Sequence, residues 1–142
     1  MINTGVQDDH SLTRAGEDYL ESIYRLSRES VEADKSVRSV DVADQLKVSK
    51  ASVNKALNML KEMGMVEQCR YGCITLTEKG EKYARMVWRS HRALRAFLEA
   101  DLGVAPEVAD EEACLMEHVL SEDTMQRLIS YLEKQGVNIP TE

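Results

Sequence analysis

The run Cys114-Leu115-Met116-Glu117-His118 puts a thiol, a carboxylate and an imidazole within one short stretch of chain. On a helical wheel with Cys114 at 0°, Glu117 falls at about 300° and His118 at about 40°, so the three share a face. Leu115, Met116, Val119 and Leu120 fall between about 100° and 240°, on the other side. A cysteine kept for packing belongs with the apolar residues, because a free thiol behaves as a small buried hydrophobe. Cys114 stands in the polar stripe instead. Thiolate, carboxylate and imidazole together make a ligand set for a first-row transition metal. Asp18 and Glu21, at i and i+3 on an earlier amphipathic segment, add two oxygen donors off its apolar face. His91 lies on the apolar face of its own segment with Val87, Leu94 and Leu98, where a hydrogen-bonded core histidine is the plainer reading.

A second set of residues suits nucleic acid. Two short helical segments joined by a tight turn, followed by a hairpin, form a winged helix-turn-helix, whose second helix enters the major groove by its N-terminal residues. Here those residues include Ser49, Lys50, Ser52, Asn54 and Lys55, small or hydrogen-bonding with two cations. Arg70, at the hairpin tip, is placed to reach a phosphate or the minor groove. The same pattern also serves protein-interaction modules and solvated helix faces.

The elements that position these groups are mostly helical. Thr13 caps a first helix running to about Glu29, with Tyr19, Leu20, Ile23, Tyr24 and Leu26 on its apolar side. Ser39 is expected to cap a short helix, Val40 to Leu46, and Ser49 a third that closes at Gly64. Met65 to Cys69 and Cys73 to Thr77 read as the two strands of the wing. Thr77 caps a long helix from Glu78 to about Ala100, ending near Gly103. A short helix is expected from Asp110 to Leu120, and a last one, capped by Ser121, ends before Gly136. The fold class is therefore mainly α: a winged helix-turn-helix with a small β-hairpin wing in residues 1–76, then an all-helical dimerisation and metal-sensing region in residues 77–142.

Charge distribution agrees with this division. The net charge of −7 over 142 residues opposes nucleic-acid binding taken whole. Yet residues 35–89 carry 11 basic and 6 acidic side chains, whereas residues 99–142 carry 2 basic and 11 acidic. Such a basic middle can face phosphates while the acidic ends do something else. No apolar run reaches the roughly 18 residues needed to span a bilayer. The polar N-terminus lacks a signal peptide's apolar region, and three cysteines without a scaffold pattern suit the cytoplasm.

These residues carry a resemblance. From Glu17-Asp18-Tyr19-Leu20-Glu21-Ser22-Ile23-Tyr24 to about Leu132, the chain resembles the diphtheria-toxin-repressor family of iron- and manganese-dependent transcriptional regulators. The stretches Asp110 to Ser121 and Leu76-Thr77-Glu78-Lys79-Gly80 are the most family-specific. The closer likeness is to the short manganese-type branch, which lacks the SH3-like third domain of longer members. The resemblance implies a homodimer on palindromic operator DNA, repressing metal-uptake genes when loaded with Mn²⁺ or Fe²⁺, with Zn²⁺ or Co²⁺ as substitutes in vitro. It assigns Asp18, Glu21, His91, Cys114, Glu117 and His118 to metal and Ser49, Ala51, Ser52 and Lys55 to DNA. The ligand set is mixed: Asp18 and Glu21 match the manganese type and Cys114 the iron type. Arg95 and Asp110 replace a glutamate and a histidine of the iron type's ancillary site.

The alternative regulator is a ligand- or redox-responsive winged-helix repressor using Cys69 and Cys73, which flank the wing tip. An enzyme is not expected: no metalloprotease-type His-Glu-x-x-His helix is present, and no nucleophile or oxyanion device accompanies the ligands.

Overall fold

The computed structural model describes residues 12–69 and 72–139. The chain divides into two compact units, Met1–Ala84 and Arg85–Glu142. No helix among the described residues is long and apolar enough to cross a membrane.

In the first unit, α1 (Arg14–Glu29) starts at Thr13, whose side chain accepts from the Gly16 amide. This satisfies one of the amides a helix start leaves unpaired. Helix α2 (Ser39–Leu46) and helix α3 (Lys50–Glu62) are joined by a turn in which Lys47 adopts φ 57°, ψ 48° and the Val48 amide donates to Ala43. Leu20, Ile23, Val42, Val53 and Leu60 are completely buried where these helices meet. Burial of each such side chain is worth about 1.5–3 kcal/mol, which locks α3 on its scaffold with the opposite face outward.

Strands β2 (Val66–Gln68) and β3 (Cys73–Leu76) form the expected wing. A further strand, β1 (Val37–Arg38), pairs with β3, Val37 opposite Ile74 and Arg38 opposite Cys73, giving the order β1-β3-β2. Two residues are too short to show a period-two pattern, so β1 had no sequence signal. Its extended backbone also corrects the expected α2 cap. Arg38 occupies the cap position without a side-chain hydrogen bond, and Ser39 is already helical. Arg70, the proposed wing-tip contact, lies outside the described residues.

The segment Leu76 to Gly80 ties the wing to the next helix. The Thr77 hydroxyl lies 2.6 Å from the Gly64 carbonyl and accepts from the Gly80 amide at 3.0 Å. The Thr77 amide donates to Met65 at 3.0 Å, and Lys79 Nζ to Met63 O at 2.9 Å. Gly80 packs so closely that a Cβ there would sit 1.9 Å from the Met65 carbonyl oxygen. Helix α4 (Glu78–Ala96) begins here.

In the second unit α4 ends in a π-helical turn, Phe97–Asp101, before Gly103 at φ 72°. Helix α5 runs Pro106–Met116, starting earlier and stopping earlier than the expected Asp110 to Leu120. Pro106 explains the start, since its fixed φ and missing amide suit the first helical turn. Glu117 caps the end, its amide still donating to Ala113. Helix α6 (Glu122–Lys134) is capped by Ser121, which accepts from the Thr124 amide. Ala93, Leu94, Leu98, Ala109, Ala113, Ile129 and Leu132 form this unit's core.

Candidate metal centre

The α5 terminus turns its polar residues inward. The Glu117 side chain is 1% exposed and the His118 side chain 4%, while Leu115 and Val119 are 46% and 77% exposed. The wheel grouped these residues correctly, but of the apolar members only Met116 and Leu120 pack against the core, and none is fully buried. Ala109 and Ala113 are, and Glu117 follows them one turn on. A buried carboxylate is costly unless paired or bound to a cation. Glu117 is set between two imidazoles: Oε1 lies 2.9 Å from His91 Nδ1 and Oε2 3.6 Å from His118 Nε2. One donor atom each of Cys114, Glu117 and His118 falls within 4.8 Å of the others.

His91 enters from α4, buried and stacked on Trp88 with ring centroids 5.5 Å apart. Its second nitrogen, Nε2, lies 2.9 Å from Asp110 Oδ1. The same Asp110 oxygen is 3.4 Å from Arg95 Nη1, and Arg95 Nε donates to Glu99 at 2.6 Å. The plainer reading of His91, a hydrogen-bonded core histidine, describes its surroundings well. Its partner at Nδ1 is nonetheless the carboxylate that faces the thiol and the second imidazole.

The first unit carries the other predicted residues. Asp18 is half-buried and Glu21 buried on α1, one helical turn apart. Ser49, Lys50, Ala51, Ser52, Asn54 and Lys55 are all exposed on the N-terminal part of α3. Ser49 spends its hydroxyl partly on the fold, accepting from the Ser52 amide at 3.1 Å and bonding the Ser52 hydroxyl at 3.0 Å.

Residues 11–74 match the family model for the N-terminal DNA-binding domain of iron-dependent repressors. Residues 77–138 match the model for the metal-binding and dimerisation domain of the same repressors. The Escherichia coli transcriptional regulator MntR is 39% identical over 120 residues, covering 84% of this chain and 74% of that protein. The chain belongs to the diphtheria-toxin-repressor family. An uncharacterised helix-turn-helix regulator of Methanocaldococcus jannaschii is 33% identical, covering 87% of this chain and 96% of that one. Among solved structures, T. acidophilum IdeR superposes with a TM-score of 0.70 at 30% identity, covering 91% of this chain and 56% of that one. A manganese-dependent transcriptional repressor in complex with manganese gives 0.72 at 30% identity, covering 83% and 52%. This chain thus spans about half the length of both solved relatives.

Membership makes the chain a metal-dependent transcriptional regulator and not an enzyme. The residues of the second unit fit a divalent metal by their chemistry: Glu117 has an imidazole against each of its oxygens and the Cys114 thiol beside it. Sequence reasoning assigned no positive role to Asp110, although the signal was there. It lies one turn before Cys114, at about 320° on the same wheel, in the stripe that holds Glu117.

The wing cysteines are free thiols facing one another across the hairpin, with the Cys69 amide donating to Cys73 at 2.8 Å. Desolvation and hydrogen bonding to Cys73 raise the Cys69 pKa.

Proposed function

We propose that this regulator is a cytoplasmic homodimer that represses metal-uptake genes, binding a palindromic operator when loaded with Mn²⁺ or Fe²⁺. Residues 1–76 read DNA, and residues 77–142 sense metal and dimerise. The observation that carries the reading is the buried His91–Glu117–His118 cluster beside Cys114, in a chain whose family binds metal. Following the family's ligand positions, Asp18 and Glu21 complete the set. The manganese named in one solved relative and the iron in the family description support these two metals, while another solved relative, ScaR, is described with bound Zn²⁺.

Deprotonated Asp18, Glu21, Cys114 and Glu117 brought together repel, by on the order of 1–4 kcal/mol for each pair at about 4 Å. A bound divalent cation supplies the opposing charge. The acidic residues of α1 are then held rather than pushed away, which fixes the helix-turn-helix for DNA. By linkage, metal and operator strengthen each other's binding. A two-fold dimer matches half-sites about 34–36 Å apart or a multiple of this. On each half-site Ser49, Lys50, Ala51, Ser52, Asn54 and Lys55 face the groove, with Arg70 at the wing.

The test is binding to DNA upstream of metal-transport genes at fixed salt, with Mn²⁺, anaerobic Fe²⁺, Zn²⁺ or chelator. Tight binding only with a cation is expected; equal binding in chelator would overturn the sensor reading. Within the DNA face, Lys55→Ala is expected to weaken binding to all sequences alike and to lower the salt slope by about one. A loss confined to one operator position would instead make Lys55 a base reader.

A further inference from the structure

The reading of His91 as a ligand leaves one question that the surrounding side chains answer: which ring nitrogen meets the metal. The imidazole lies between two carboxylates, Glu117 at Nδ1 and Asp110 at Nε2, each at 2.9 Å. A nitrogen that ligates must present its lone pair, so only the other can keep its hydrogen and donate. Glu117 is the buried carboxylate that shares its surroundings with Cys114 and His118. Asp110 differs in every respect. Its side chain is 53% exposed, it belongs to neither group of possible metal ligands, and Arg95 and Glu99 form a chain of ion pairs with it. Trp88 stacks on the ring and limits its rotation.

We propose that Asp110 is a positioning residue: it accepts the Nε2 hydrogen of His91 and so presents the Nδ1 lone pair to the metal. Arg95, itself held by Glu99, keeps Asp110 in place. The inference rests on the metal-centre reading above and goes further, by assigning a tautomer and a supporting carboxylate outside the ligand set. A ligating histidine commonly donates its other N–H to a carboxylate, and loss of such a partner costs about 10–100-fold in metal affinity.

Two measurements test it. The first uses the unaltered protein loaded with a spin-half cadmium isotope and labelled with nitrogen-15. Cadmium–nitrogen coupling is expected at His91 Nδ1, with a hydrogen retained on Nε2. Coupling at Nε2 would overturn the tautomer while leaving the metal centre intact. Absence of coupling at both His91 and His118 would instead overturn the metal-centre reading and this inference with it. The second is Mn²⁺ affinity by competition with a chelating dye. Asp110→Ala is expected to lose about 10–100-fold, whereas Asp110→Asn, which keeps an acceptor oxygen, recovers most of it. Unchanged affinity in Asp110→Ala, or equal losses in both variants, would reduce Asp110 to a surface ion pair.

Discussion

Glu117→Gln is expected to abolish metal-stimulated DNA binding while leaving the second unit folded. The amide has the shape of the carboxylate and keeps one acceptor, so the packing around Ala109 and Ala113 is undisturbed. What disappears is the negative charge that Glu117 shares between His91 on one side and His118 and Cys114 on the other. Loss of a mere supporting partner of a ligand already costs about 10–100-fold in metal affinity, and loss of a charged ligand itself costs more. Mn²⁺ affinity is therefore expected to fall by roughly a hundredfold or more. Two readouts separate this from misfolding. Thermal unfolding in chelator should differ little from the parent protein, while the rise in Tm that Mn²⁺ gives the parent should vanish. A variant that still gained both Tm and operator affinity on adding Mn²⁺ would show that Glu117 is not a ligand.

Gly80→Ala is expected to be among the most destabilising single substitutions in the chain. The added methyl would lie 1.9 Å from the Met65 carbonyl oxygen and 2.8 Å from its carbon, both backbone atoms. Neither can yield without moving β2 or the start of α4, and the Thr77 bonds to Gly64 and Met65 hold both in place. A loss on the order of 3–5 kcal/mol follows, a large share of a small unit's stability. Gly64→Ala is the control. Its φ of +76° carries a backbone penalty of about 1–2 kcal/mol, yet nothing lies within 4 Å of the added carbon. Urea unfolding of both variants decides the matter; a Gly80 variant no weaker than the Gly64 variant would mean that the contact relaxes at little cost.

Much of this architecture was legible in the sequence because its signals are local. Thr13, Ser49, Thr77 and Ser121 each cap the helix they were expected to cap, since a hydroxyl ahead of an apolar-periodic run acts within one turn. Elements defined by distant partners were not legible. β1 exists only because β3 lies beside it, and the early start of α5 came from Pro106 rather than Asp110. At the candidate site, the wheel found that Cys114, Glu117 and His118 share a face. It could not say which face is buried, because Leu115 and Val119 look like core residues until their exposure is known. Asp110 carries the same lesson. Its i, i+4 relation to Cys114 is visible in the sequence, but its contact with His91 depends on how α4 meets α5.

The inward-facing Glu117 and His118 at the end of α5, with His91 of α4 against Glu117, also bear on how this sequence would drift under selection. Buried ion clusters are often less stable than apolar side chains of equal volume. A laboratory selection for folding and solubility alone is therefore expected to enrich apolar side chains at positions 91, 117 and 118 together, since losing one member leaves the others buried without a partner. Such lineages would gain heat resistance and lose their response to metal. The sensor is then the less stable form of its own scaffold, kept only while the cell has a use for the signal.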